Sequence, residues 1–379
     1  MDPAGLVAAA SESTGLDDLG SDSYLEGLER FVGSARDEAR LSELGTVALE
    51  GQVTTCLVNR LRVTDWLRRN PEVLDDRVER PIVVLGLPRT GTTLLSELLH
   101  RDPAARSLMR WEALDSVPPP QAATFTTDPR VAAARLAAGM LDELNPGFRA
   151  IHYEAPDGPT ECVAVLAQDF KSLLWETVAN VPSYGEWLFA CDHTSAYEYH
   201  HDLLRLLQSE APGRWALKTP HHCLAVDALL AEYPDARLVM THRDPVTVVA
   251  SLCSLVRSLS GTFSDADHGV YINERWTAIA CELVERVMEW RDTHDDHMFV
   301  DIAYGDLVAD PMATIRSVYE HGGDELTVEA ERAMRRYLDE HPQGEHGRHR
   351  YDVDALGLDA PALRDRFATY RSRFVTHGA

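Results

Sequence analysis

The segment from Pro81 to His100 limits the fold more than any other. A short apolar run, Ile82 to Leu85, leads into Gly86-Leu-Pro-Arg-Thr-Gly91-Thr92-Thr93 and then into the helix-like LLSELLH. A run this short, rich in β-branched side chains and without polar alternation, predicts a strand covered on both faces. A glycine-bearing turn between such a strand and a helix presents free N–H groups and the positive end of a helix dipole to an anion. The segment therefore predicts a phosphate loop, the plainer reading being a tight strand-to-helix turn. WALK before Thr219, RLVM after Ala236 and MFVDIAY ending at Tyr304 predict three more strands with helix-like segments between them. The fold class that follows is α/β, a P-loop-like parallel sheet flanked by helices with right-handed crossovers.

Residues 1 to about 78 predict a helical extension: Leu57, Leu61 and Trp66 fall at helical spacing until Pro71 stops them. From about 128 to 210 the pattern is again mostly helical, an insertion expected to cover one end of the sheet and form a cavity. Ser195 and Asp244-Pro245 read as helix starts, and a closing helix is expected near Asp359. All 379 residues are expected to form a single domain, since 45% hydrophobic content suffices for one large core. No apolar run is long enough to cross a bilayer, and the N-terminus lacks the basic start of a signal peptide, so a cytoplasmic protein without a membrane span is expected. A formal charge of −25 argues against a nucleic-acid partner, and any anionic ligand needs a local cluster of cations and amides. The six cysteines show no metal or disulfide spacing.

The loop lacks the lysine that ATPases and GTPases carry after the second glycine; Thr92 stands there. The cation nearest the loop is Arg89, whose forked guanidinium suits the oxygens of a transferring anionic group. GLPRTGTTLLSELLH resembles the 5′-phosphosulfate loop of sulfotransferases that use 3′-phosphoadenosine 5′-phosphosulfate (PAPS), in the Pro-Arg-x-Gly-Thr-Thr version of tyrosylprotein and many bacterial sulfotransferases. AEYPDARLVMTHRDPVTVVASLCSL resembles the same family's 3′-phosphate site, with Arg243 and Ser251 in the matching positions. Read without the family, Arg243 would be an ion-pair partner of Asp244 and Ser251 a packing residue. Lys218 stands where the tyrosylprotein enzymes carry a transition-state lysine, and Tyr304-Gly-Asp-Leu-Val-Ala-Asp-Pro311 resembles a segment whose tyrosine contacts the nucleotide. GRHRYDVDALGLD from Gly347 resembles the C-terminal segment of bacterial members.

The resemblance implies an enzyme moving a sulfuryl group from PAPS to the hydroxyl or amine of a small-molecule or lipid acceptor, without a metal. Pro88, Arg89, Thr90, Gly91, Thr92, Thr93, Arg243, Ser251 and Tyr304 would bind PAPS or its product PAP. Arg89 and Lys218 would stabilise the transition state, and Glu112 would be the general base, aligned with the family's glutamate by a two-residue shift. His100, His152, Glu161 and His221 or His222 compete for the basic role. Trp175, Tyr184 and Trp187 suit an apolar acceptor or the core equally. The histidines around His294 and His297 and at His346 and His349 lack the pattern of a metal site. A nucleotide kinase of P-loop topology and a noncatalytic PAP-binding protein are the alternatives, and oligomeric state is not legible.

Overall fold

The computed structural model describes residues 1–145, 154–342 and 353–375. Five strands, β1 (Ile82–Gly86), β2 (Ala105–Ser107), β3 (Arg214–Lys218), β4 (Arg237–His242) and β5 (Phe299–Ala303), form one sheet in the order β2-β3-β1-β4-β5. Every adjacent pair is parallel. The strand at the centre is β1, because the chain first builds one side of the sheet and then returns to build the other. The loop after β1 thus lies at the crevice where open α/β sheets bind ligands.

The apolar run of β1 is buried on both faces. Val83 and Leu85 join the larger core, while Ile82 and Val84 join a smaller one with Leu95, Leu98 and Leu99 of the loop helix Thr92–His100 and Ile315 of the helix Pro311–Gly322. Each such side chain contributes about 1.5–3 kcal/mol by leaving water, which pins the loop helix to the strand that feeds it.

The N-terminal residues fold as helices Pro3–Thr14, Ser23–Asp37 and Glu43–Arg69, followed by a short turn of 3-10 helix, Pro71–Asp75. They are part of the main core. Phe31 packs against Trp175 with ring centroids 4.4 Å apart, and buried Arg60 pairs with buried Asp169 at 3.0 Å. The described residues between 128 and 210 are mostly helical, including Pro129–Leu144 and Thr194–Gln208. The latter starts one residue before Ser195, which lies inside the helix and donates to Asp169 at 2.7 Å instead of capping. Asp244 does cap the helix Pro245–Phe263, accepting from the amides of Val246 and Thr247, and Asp359 caps Ala360–Arg366.

The helix Pro245–Phe263 is long and apolar enough to cross a membrane by composition. It is nevertheless mostly buried against other elements, including the long helix Gly269–Thr293.

Candidate active site

At the carboxyl end of β1 the backbone turns through two left-handed residues, Arg89 (φ 69°) and Gly91 (φ 92°), before the loop helix begins. Successive amides in such a turn form an anion-binding concavity, continued by the first helical N–H groups, which have no partner within the helix. Gly91 is required there. A Cβ on it would lie 2.8 Å from Leu307 Cδ2 and 3.1 Å from Tyr304 Cδ2. The loop is braced from behind: Thr90 Oγ1 donates to the Leu87 carbonyl at 2.6 Å and lies 2.6 Å from Thr241 Oγ1 on β4.

Arg243, just past β4, donates from Nη1 to the Arg89 carbonyl at 2.9 Å and lays its guanidinium over the Tyr304 ring, 4.1 Å from the centroid. Asp244, its sequence neighbour, is committed elsewhere, to its helix cap and to Arg371 at 3.4 Å. Arg89 Nε donates to Ser251 Oγ at 3.1 Å. Arg89, Arg243, Ser251, Gly91 and Tyr304 therefore form one cluster at the strand ends, although Ser251 lies 162 residues from Arg89 in sequence.

Pro88, Arg89, Gly91, Thr92, Thr93, Arg243 and Tyr304 all line one cavity of about 790 Å³. The remaining wall is largely apolar, with Leu173, Leu174, Val178, Leu255, Leu259 and Trp276, and also carries Arg110, Arg135, Glu154 and Glu161. Gln52, from the N-terminal extension, also reaches the wall, a contribution that no local signal marks. The aromatics singled out from sequence are not on it: Trp175 and Tyr184 are fully buried, with Phe170 stacked on Trp175 at 5.3 Å, and Trp187 Nε1 donates to Glu26.

The acid–base candidates separate by position. Glu112 is withdrawn from the cavity and wholly buried. Its carboxylate forms a two-pronged pair with Arg106, one contact at 2.9 Å to Nη1 and a second to Nη2, and it also accepts from the Met109 amide at 3.0 Å. Arg106 continues to the carbonyls of Ala211, Ser107 and Leu207. Glu112 thus fixes the Arg106 fork that ties β2 to the end of the helix Thr194–Gln208, and the expected general base lies off the cavity wall. Sequence reasoning missed this because the alignment fixed the residue's place along the chain and not its partner.

Glu161 lines the cavity, with Oε1 3.0 Å from Lys218 Nζ and Oε2 3.4 Å from the Thr219 hydroxyl. Lys218 itself lies behind the wall. Burial alone would depress its pKa, but Glu161 and Glu154 outweigh that and raise it, so the ammonium stays charged. Glu154 also faces the cavity, its two oxygens taken up by Arg110 at 3.1 Å and Thr160 at 2.7 Å.

His221 touches the cavity, but its Nδ1 accepts from the Leu173 amide at 3.2 Å, so the ring proton resides on Nε2. Burial pushes its pKa well below the usual value, as it does for His222, whose Nδ1 is 2.8 Å from the Tyr197 hydroxyl. His100 is off the cavity wall, and burial lowers its pKa to about 4. His152, His346, His349 and the stretch from Gly347 to Asp352 lie outside the described residues. Among the described residues no group of three histidine, cysteine or acidic side chains converges as a metal site.

A family model described as the sulfotransferase family matches residues 81–327. The crystal structure of sulfotransferase STF9 from Mycobacterium avium is 37% identical and superposes with a TM-score of 0.89 over 98% of this chain and 96% of that one. Sulfotransferase STF1 from Mycobacterium tuberculosis H37Rv is 35% identical with a TM-score of 0.88, covering 97% and 99%. Curated relatives from Mycobacterium bovis and Mycobacterium tuberculosis, named omega-hydroxy-beta-dihydromenaquinone-9 sulfotransferase Stf3, are 26% identical over 255 residues, which is 64% of this chain and 62% of theirs. The match thus spans less than two thirds of those relatives' length. With the family model covering well over half of its length and two solved sulfotransferases superposing on nearly all of it, the chain belongs to the sulfotransferase family.

Proposed function

We propose that the protein transfers a sulfuryl group from PAPS to the hydroxyl of an apolar, lipid-like acceptor. One observation carries this reading: a single cavity is lined both by the cationic, amide-rich loop at the strand termini and by a largely apolar wall. The residues present fit the donor. The left-handed turn at Arg89 to Gly91 suits the 5′-phosphosulfate, and Arg243 with Ser251 suits a 3′-phosphate. When bound, PAPS supplies an activated sulfuryl group and a stable anionic leaving group.

Sulfuryl transfer through a loose in-line transition state leaves the protein chiefly the tasks of positioning and charge stabilisation. Arg89, on the wall, and Lys218, behind it, are the cations for the equatorial oxygens and the leaving oxygen. As the acceptor oxygen bonds to sulfur, the bond from sulfur to the phosphate oxygen breaks and its electron pair leaves with PAP. The hydroxyl proton passes to a carboxylate on the cavity wall. Glu161 is our choice for that carboxylate, because among the described residues its Oε2 has only the long contact with Thr219, whereas Glu154 has both oxygens engaged at short range. The curated relatives are named for an omega-hydroxy acceptor, which supports a hydroxyl as the reacting group.

Calorimetry with PAP, AMP and ATP·Mg²⁺ tests the donor. PAP is expected to bind most tightly, and Arg243→Ala to weaken PAP by about 1.5–3 kcal/mol while leaving AMP nearly unchanged. Equal weakening of both ligands, or tighter binding of ATP·Mg²⁺ than of PAP, would remove the 3′-phosphate site and with it the assignment of PAPS. Sulfation of other extract components but of no hydroxylated lipid would overturn the apolar acceptor, and PAP binding without turnover on any acceptor would favour a noncatalytic member of the family.

A further inference from the structure

Two exposed apolar surfaces meet at one end of the cavity. The first is the helix Pro129–Leu144. Its beginning is fixed by Val131 and Ala134, buried with Met109 and Trp111, and by Arg130 Nη1, which donates to the carbonyls of Asp115 and Pro118 at 2.8 Å. Just past its end, Asn145 Nδ2 donates to Thr262 Oγ1 at 2.8 Å and to Ser258 Oγ at 3.0 Å. Between these ties Arg135 and Gly139 line the cavity. A helix held in this way normally turns a polar face to water. Here the exposed residues include Ala132, Ala133, Ala137, Leu136 at 72% exposure and Leu144 at 47%.

The second surface is the start of the helix Glu43–Arg69. Leu44 is 47% exposed and Val47 67%. This end is tied to the same place, since Ser42 N–H donates to the Phe263 carbonyl at 2.9 Å and Gln52, further along the helix, reaches the cavity wall. Val270, 74% exposed, begins the next helix just beyond the bridge between Leu41 and Ser264. The ties of Asn145, Ser42 and Leu41 all end on residues 258–264, where Leu259 and Phe263 line the cavity. Exposed apolar residues and part of the cavity's apolar wall are thus held by the same short segment.

We propose that this rim seats on the surface of a neutral lipid bilayer and admits the acceptor from it, an inference that rests on the reading of an apolar acceptor. Charge selects this occupant. The rim helix carries Arg130 and Arg135 against Asp142 and Glu143, and the two arginines are paired with Asp128 at 2.7 Å and Asp157 at 2.6 Å. It therefore offers no net positive charge to an anionic membrane. A second copy of the chain would bring a further −25 against the first. A zwitterionic lipid surface meets neither obstacle, and exposed apolar side chains clustered at a cavity are the type of surface it takes up.

The test is flotation of the full chain with phosphatidylcholine vesicles. The wild type is expected to float, and a Val47→Glu/Leu136→Glu/Leu144→Glu variant to lose binding by about tenfold or more, with PAP affinity unchanged as the control for folding. Three results would overturn the proposal: a wild type that stays in the aqueous fraction, a variant that floats equally well, or a wild-type dimer in light scattering that the variant converts to monomer. Titration with a fluorescent long-chain alcohol in vesicle-free buffer separates the two readings. Flotation without alcohol binding supports docking and sinks the apolar acceptor; alcohol binding without flotation sinks docking alone.

Discussion

Glu161, on the cavity wall, and Glu112, buried away from it, are expected to respond differently to the same substitution. Glu161→Gln is expected to lower turnover by about 10²–10⁴ while PAP affinity stays within a few-fold, because it removes basicity and keeps shape. Glu112→Gln is expected to act on stability, since it leaves the Arg106 guanidinium buried without its counter-charge. Loss of one partner from such a pair costs about 3–5 kcal/mol, which a thermal melt will show directly. If instead Glu112→Gln melts like wild type and has lost its turnover, Glu112 regains the basic role. The difference was not legible in the sequence. Arg106 lies only six residues before Glu112, but their pairing depends on β2 running beside β3, and Lys218 meets Glu161 across 57 residues. Cysteine chemistry, by contrast, was local enough to read: burial pushes the thiols of Cys162, Cys223 and Cys253 up to about 12, as expected of packed, unreactive side chains.

At the scale of elements, the loop from β1 to its helix is the part the sequence revealed most fully. Its signals, an apolar run, two glycines and a helix start, all lie within one short segment, and backbone sterics act at that range. Gly91→Ala is expected to add about 1–3 kcal/mol of backbone strain at φ 92° and to push on Leu307 and Tyr304. Calorimetry should then show PAP binding lost or strongly weakened at a temperature where circular dichroism still reports a folded chain; retained affinity would mean that the loop does not hold the phosphate. Elements without such local punctuation were harder to read. The strand β2 has three residues and no distinguishing pattern, and the helix expected to start with Ser195 begins where Asp192 accepts from the Thr194 amide at 2.9 Å. The cavity wall draws on helices far apart in the chain, so the visible aromatics Trp175 and Tyr184 were poor guides to it and the plain leucines of Pro245–Phe263 were the residues that mattered.

Across the whole molecule, burial of histidine sets a limit on acid stability. His200 is held near a pKa of about 3 and His193 near about 4, in each case chiefly by desolvation, and His221 and His222 lie well below the usual value. These rings are neutral when folded and take up protons when unfolded below about pH 6.5. Their stabilising contribution is therefore complete above that pH and declines as the pH falls towards the folded values, at up to about 1.4 kcal/mol per pH unit for each histidine. Urea midpoints measured from pH 7 to pH 5 should fall accordingly, and His200→Gln should flatten the slope; a pH-independent midpoint would refute the account.

The register of β1 against β4 has a consequence of another kind. Gly86 pairs with Thr241, and both groups proposed to hold the donor's anionic ends are counted from that rung: the loop turns just beyond Gly86, and Arg243 follows just beyond Thr241. Contacts from Thr90 to Thr241 and from Arg243 to the Arg89 carbonyl fix the gap between them. The two strands thus work as a caliper. The distance between a ligand's two anionic groups would then be set by strand register and by an Arg243 side chain pinned to the Arg89 carbonyl, so that ligands would be sorted by length before any base or acceptor is touched.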